Sequence, residues 1–371
     1  MQVIRTVVCK LIAQEANLKS IQELFRKYSQ ACTEIAQYGR DHLMPNAIQL
    51  HHKLYRDLRK KYGLPANLVV TALRRASGTL KTAHCKGKFE FKPTFIGLDE
   101  RTFTLKLEDE EVTVSSHVGR IKFKLDIGNY QREALKTGSI SSATLVNSKR
   151  GLFINVQVKS EVEERTGNKV LGVDLGIRNI AVTSVGTKHD GKLIREYRQD
   201  RWRIRASLQS NGTRNSKRVL KSLSGKEARR ARDLNHVVAK SIVSEARRSK
   251  CSTIALEDLK GIRGRLRVPN KHSNRMVSLW SFFQLREFVR YKAALYGIKV
   301  VEVEPAYTSQ TCHSCGKRGF RNQETFTCTT CGEFDADVNA AKNIAIGGAR
   351  VNEPGSDGSS RKTAPVASPG L

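Results

Sequence analysis

Four cysteines fall within twenty residues as two Cys-x-x-Cys pairs, Cys312-His-Ser-Cys315 and Cys328-Thr-Thr-Cys331, twelve residues apart. Each pair can set two thiolates on one ion, and two facing pairs close a tetrahedral site. Gly316 and Gly332 directly follow the second cysteine of each pair, where a knuckle needs its tightest turn. Four sulfurs leave no open coordination position, so the expected ion is one structural Zn²⁺. His313 is expected to face solvent, with ligation in place of a cysteine as the alternative.

The second kind of chemistry belongs to acids in apolar surroundings. Asp174 lies in Val170-Leu-Gly-Val-Asp-Leu-Gly and Glu257 in Thr253-Ile-Ala-Leu-Glu-Asp-Leu, both otherwise strand-like. Asp335 and Asp337 follow the second cysteine pair, where Val338, Ala341, Ile344 and Ala345 begin a helical pattern. A carboxylate in an apolar strand costs several kcal/mol unless a cation or hydrogen bonds compensate it. Three or four such acids around two divalent ions about 4 Å apart would cleave a phosphodiester, one ion activating water and the other stabilising the leaving oxygen. All-oxygen ligands favour Mg²⁺. Taken singly, Asp174 can cap a turn and Asp335 or Asp337 can cap a helix. Glu257 and Asp258 compete for one role from opposite faces of one strand.

These groups need a scaffold, and the hydrophobic period supplies one. Residues 2–12 are β-branched and read as a strand. Leu18, Ile21, Leu24, Phe25, Tyr28, Cys32 and Ile35 then mark an amphipathic helix, followed by helices over about 46–62 and 66–84. Pairs and triplets such as Phe89/Phe91, Phe103/Leu105/Leu107, Val112/Val114, Ile121/Phe123/Leu125 and Ile154/Val156/Val158 alternate with polar residues, and Gly128, Gly138 and Gly151 mark turns. An antiparallel barrel, completed by the first strand and interrupted by three helices, is expected.

From about residue 169 apolar runs at 170–175 and 180–185 flank a hairpin turn. Trp202, Ile204 and Leu208, then Val219, Leu220 and Leu223, suggest a helical hairpin broken by Asn211-Gly212, and a separate helix covers 226–249. A strand at 251–256, a basic loop at 261–275, a helix over 279–296 and a strand at 298–303 complete the mixed α/β pattern of an RNase-H-like sheet.

The 371 residues carry 66 Lys and Arg against 35 Asp and Glu, a net charge of +31, which calls for a polyanionic partner such as nucleic acid. Residues 186–250 alone hold 19 basic and 6 acidic side chains. No apolar run approaches the roughly 18 residues of a membrane helix, so neither a span nor a signal peptide is expected. Cys9, Cys32, Cys85 and Cys251 are scattered and read as buried thiols of a reducing compartment.

Together, Gly-Val-Asp-Leu-Gly-Ile-Arg-Asn, Ala-Leu-Glu-Asp-Leu, Ser-Gln-Thr-Cys-His-Ser-Cys-Gly and Asp-Ala-Asp-Val-Asn-Ala-Ala-Lys-Asn-Ile-Ala resemble the TnpB proteins of bacterial and archaeal insertion sequences, compact relatives of the type V CRISPR effector nucleases. The match covers about 169–347; residues 226–236 also resemble that family's arginine-rich helix, and the N-terminal half matches in architecture alone. The resemblance implies an RNA-guided DNA endonuclease with a wedge-type β-barrel (1–12 and 85–165), a helical recognition insertion (13–84) and a RuvC-like nuclease domain (166–308 and 334–349). It further implies a zinc-binding insertion (309–333), while the Gly, Ser, Pro and Lys composition beyond Gly347 reads as a disordered tail (350–371). By motif, Asp174, Glu257 and Asp337 become the catalytic, Mg²⁺-binding acids, with Asp335 as a neighbour that orients the site. The implied partners are a guide RNA from the transposon end and double-stranded DNA beside a short flanking motif. A monomer in the prokaryotic cytoplasm, nucleoid-associated when bound to DNA, is expected. Arg74 and Arg75 are candidates for reading the flanking motif, and Arg229, Arg230 and Arg232 for holding phosphates. The same acids also serve strand-transferring transposases, while a silent RNA-guided repressor would have lost them.

Overall fold

The computed structural model describes residues 1–176, 178–258, 282–304, 308–351 and 366–367. Two compact units divide the chain, Gln2–Glu161 and, with Met1, the residues from Val162 onward.

In the first unit β1 (Gln2–Ile12) leads into α1 (Glu15–Asp41), α2 (Ala47–Tyr62) and α3 (Ala66–Thr82). Asn46 caps α2 by accepting the Ile48 N–H, and Gly63, at φ 62°, ends it in the left-handed region that glycine tolerates. The chain then returns to the sheet with β2 (Phe95–Asp99), β3 (Phe103–Lys106), β4 (Glu111–Ser116), β5 (Gly119–Asp126), α4 (Asn129–Lys136), β6 (Ser139–Ser148) and β7 (Gly151–Glu161). The strands are antiparallel in the order β2-β6-β7-β1-β5-β4-β3. Residues 2–11 of β1 pair with β7 and residues 10–12 pair with β5, so this one strand joins two runs of a near-closed barrel. Barrel residues such as Val112 and Phe123 share one core with Leu24, Phe25, Tyr28 and Leu68 of the helices.

Several expectations change. Phe89 and Phe91 lie outside any strand, although Phe89 is buried. Leu18 is exposed, so the α1 stripe begins at Ile21. The Ser- and Thr-rich β6 and the α4 turns between Gly128 and Gly138 have few large apolar residues to mark them, and β2, at five residues, is too short to show a period.

The second unit is built on a five-stranded sheet, β8 (Val170–Asp174), β9 (Asn179–Thr183), β10 (Lys188–Asp190), β11 (Thr253–Glu257) and β12 (Lys299–Val303), in the order β10-β9-β8-β11-β12. The first three are antiparallel neighbours, and β8, β11 and β12 run parallel. Between β10 and β11 come α5 (Lys192–Asn211) and α6 (Arg214–Arg248); α7 (Phe282–Ala294) precedes β12. Gly212 ends α5, and Thr213 caps α6 by accepting the Ser216 N–H. The 35 residues of α6 form one helix, about 52 Å long at 1.5 Å per residue, where a hairpin arm and a separate helix were expected. Trp202 and Ile204 of α5 are 46% and 41% exposed, and Ile194 is its buried residue.

Helices cover both faces of this sheet. Ile254 and Leu256 of β11 pack with Val238 and Ile242 of α6 and Phe288 of α7. Ala255, between them in sequence, packs instead with Ile344 of α8 (Ala336–Val351). A three-stranded sheet, β13 (Phe320–Asn322), β14 (Thr325–Cys328) and β15 (Gly332–Asp335), precedes α8. That last helix includes Arg350 and Val351, where a tail was expected to begin. The expected basic loop at 261–275 lies outside the described residues, as does the tail apart from 366–367.

Candidate active site and metal centre

The sulfurs of Cys312, Cys315, Cys328 and Cys331 lie within 4.8 Å of one another, with Cys315 and Cys328 3.5 Å apart. Four Zn–S bonds of about 2.3 Å in a tetrahedron place sulfurs about 3.8 Å apart, so these residues fit one zinc ion. Gly316 and Gly332 have φ of 74° and 86°, as the knuckle turns require. The N–H groups of Thr330 and Cys331 hold the Cys328 thiol down at about 6, which favours the ligating thiolate at neutral pH. His313 is half-buried and outside the four-cysteine cluster. Its Nδ1 lies 2.9 Å from Asn339 Oδ1, and its Nε2 lies 3.3 Å from Lys342 Nζ. Buried Asn339 also accepts the His313 backbone N–H and donates to the Thr311 carbonyl, tying the knuckle to α8 two residues from Asp337.

Register places the first two acids. Val173 pairs with Leu256 across the parallel β8–β11 ladder, so Asp174 and Glu257 follow side by side at the strand ends. Adjacent strands lie about 4.8 Å apart. Asp174 and Glu257 share the face of Gly172 and Ala255, against which α8 packs. Asp258 therefore belongs to the other face; its carboxylate lies 3.8 Å from Arg286 of α7.

Small residues let α8 come close enough to deliver Asp337 from its first turn. A Cβ at Gly172 would lie 2.0 Å from the Ala341 carbonyl oxygen, and one at Gly348 would lie 2.5 Å from the Ala255 Cβ. Asp337 accepts hydrogen bonds from Arg321 of β13 at 2.6 Å and Asn179 of β9 at 2.8 Å. Glu257 accepts one from the Thr308 hydroxyl at 2.6 Å. Among the described residues, the four cysteines form the one metal-ligand cluster, and the three acids do not form a second.

The electrostatics nevertheless join them. Desolvation, then the charges of Glu257 and Asp337, push Asp174 up to about 7, with Arg321 opposing. Desolvation raises Glu257 as well, against Thr308 and Arg321. Asp335 differs: burial opposes its ionisation, but Lys188 and the Val338 N–H hold it below the usual carboxylate range. Lys188 bonds it directly, and its carboxylate accepts the Val338 backbone N–H at the start of α8. Excess negative charge and hard oxygen donors at Asp174, Glu257 and Asp337 fit a divalent cation such as Mg²⁺.

Sequence reasoning missed Arg321, Asn179 and Thr308. Asn179 stood in a quoted motif, but nothing local marks Arg321, which a zinc-clasped hairpin brings to Asp337. Of the expected nucleic-acid contacts, Arg74, Arg229 and Arg230 are exposed. The Arg230 guanidinium lies 4.1 Å from the Tyr197 ring centroid, and Arg232 is half-buried. Arg75 serves the fold: it donates to the Phe95 carbonyl at 2.7 Å and lies over the Phe91 and Phe95 rings.

An RNase-H-like sheet carrying acids at its strand ends, followed by a four-cysteine hairpin, defines a RuvC-type architecture. Residues 153–263 match the family model described as a probable transposase (OrfB, IS605), and 282–344 match the Cas12f1-like TNB domain. Over those two stretches the chain is therefore similar to proteins of the TnpB and Cas12f kind. It is 32% identical to a CRISPR-associated endodeoxyribonuclease Cas12f1 of Sulfoacidibacillus thermotolerans over 56% of this chain and 53% of that protein. It is 29% identical to a TnpB-like protein of Methanocaldococcus jannaschii over 60% of this chain and 85% of that one. The chain thus spans about half the length of the first relative and most of the second. A solved Cas12f1–sgRNA–target DNA complex has the same fold, with a TM-score of 0.60 at 17% identity, covering 88% of this chain and 82% of that one.

Proposed function

We propose that the chain is an RNA-guided DNA endonuclease, with Asp174, Glu257 and Asp337 as its catalytic acids. The observation that carries this reading is the in-register placement of Asp174 and Glu257 against a helix that presents Asp337 to the same negative field. Support comes from relatives named as endodeoxyribonuclease and TnpB-like protein, and from a fold shared with a guide-and-target complex.

In this reading Asp174, Glu257 and Asp337 would hold Mg²⁺, which would supply an activated water and offset charge on the leaving oxygen. Thr308 orients Glu257, and Asn179 orients Asp337. Arg321 offers a fixed positive charge beside the point where a scissile phosphate would arrive. A zinc ion held by Cys312, Cys315, Cys328 and Cys331 would close the hairpin that carries Arg321 and precedes α8. A guide RNA from the end of the insertion sequence selects double-stranded DNA beside a short flanking motif. Arg74 is a candidate for reading that motif, and the α5–α6 arginines for holding backbone phosphates. We assign 1–12 and 85–165 to the wedge-type barrel, 13–84 to recognition, 166–308 and 334–349 to the nuclease, and 309–333 to zinc binding.

The test incubates copurified protein–RNA with matched target DNA in Mg²⁺ and in EDTA. Cutting in Mg²⁺ that is lost in EDTA and in Asp174→Ala supports the proposal. Tight target binding with no cut in Mg²⁺ overturns it in favour of a repressor.

A further inference from the structure

Between α5 and α6 lies a cavity of about 260 Å³ whose walls match none of the chemistry above. Ile194, Ala228 and Ala231 give it an apolar lining, Trp202 an aromatic wall, and Arg205 with Glu227 a charged edge. Trp202 is 46% exposed, although indole is among the costlier groups to leave in water. Arg205 pairs through one terminal nitrogen with Glu227 at 2.5 Å. Its Nε–H is buried and has no hydrogen-bond partner among the described residues. Such a donor is costly unless an acceptor arrives. Beside the cavity, Arg201 and Arg230 lie 5.0 and 4.1 Å from the Tyr197 ring centroid.

We propose that this cavity binds a single unpaired nucleobase, stacked on Trp202 and hydrogen-bonded at its edge by Arg205. The volume falls just under the roughly 300 Å³ at which drug-sized pockets begin, so it suits one base and excludes a base pair. A bare anion would leave the aromatic wall unused, and a purely apolar ligand would leave the arginine donor unmet. A nucleotide uses both, and α5 and α6 surround it with six and eleven Lys and Arg to hold the flanking phosphates. Stacking on an aromatic face tolerates any base, so the site anchors an unpaired position without reading sequence. It rests on the nucleic-acid-binding part of the proposed function and is independent of the acids.

The full chain with Trp280→Phe leaves Trp202 as its one indole, since the sequence holds two tryptophans. Its emission is titrated in EDTA with nine-nucleotide oligoadenylates of RNA and of DNA, and with an abasic strand of equal length. Saturable quenching by the RNA, the DNA or both, and little by the abasic strand, supports the site and identifies the sugar it accepts. Read by the fluorescence anisotropy of an end-labelled oligoadenylate, Trp202→Leu should weaken that binding about tenfold, Trp202→Phe should recover most of it, and the salt dependence should stay the same. Quenching by neither oligoadenylate, equal quenching by the abasic strand, or a Trp202→Leu affinity within twofold of wild type overturns the inference. Should the leucine variant fail to fold, the titration and the phenylalanine variant decide. No divalent ion or cut enters this measurement, so its failure leaves the nuclease reading standing, and failure of cleavage leaves this site standing.

Discussion

At the scale of single residues, Asp174 bears the greatest electrostatic load. Its ionisation is opposed by burial and by two neighbouring acids, which push it up to about 7, against about 3.9 in an unfolded chain. Between those values the folded state keeps a proton that the unfolded state has lost. Stability without metal therefore falls as pH rises through that window, and the full penalty stands above pH 7. Asp174→Asn removes the charge, so its melting temperature in EDTA should exceed wild type clearly at pH 8 and little at pH 4; equal differences at both would refute this. The same variant should cut target DNA more than about 100-fold slower, because even partners behind a metal ligand cost 10–100-fold. Asp174 and Glu257 were legible because carboxylates interrupt apolar strands. Arg321 was not, since its role comes from a neighbour sixteen positions away in a folded hairpin.

Elements position those residues by close approach. Gly172 faces the backbone of α8, and a methyl there would lie 2.0 Å from the Ala341 carbonyl oxygen. Gly172→Ala should cost about 1–3 kcal/mol in denaturant unfolding by overpacking, and cleavage should fall with it as Asp337 shifts. A variant that unfolds and cuts like wild type would show that α8 yields freely. The zinc hairpin makes a parallel case. Cys328→Ser should reduce bound zinc from one per chain by elemental analysis and loosen the Arg321–Asp337 contact, lowering cleavage; full activity without zinc would contradict this. Period alone revealed α1 to α3, β8 and β11, whose large apolar residues repeat clearly. It missed β6, where Ser and Thr dominate and partner strands supply the order. It split α6 near residue 226, yet Leu223 is buried just before that point and the helix runs on unbroken.

For the whole molecule, charge sets the partner. At +31 the chain should bind nucleic acid with an affinity that falls steeply as salt rises. Replacing Arg229, Arg230 and Arg232 with glutamine should flatten a plot of log affinity for single strands against log salt by about two, if each meets one phosphate. An unchanged slope would remove them from the interface. Among the described residues no helix is long and apolar enough to cross a membrane, in keeping with the charge. The central claim is narrower: one metal-binding point formed by residues 174, 257 and 337. Manganese anomalous diffraction from crystals of the protein with guide and target tests it most directly. The account predicts peaks bounded by all three carboxylates, about 4 Å apart if two ions bind. Ordered carboxylates with no manganese among them, or manganese held elsewhere, would contradict it.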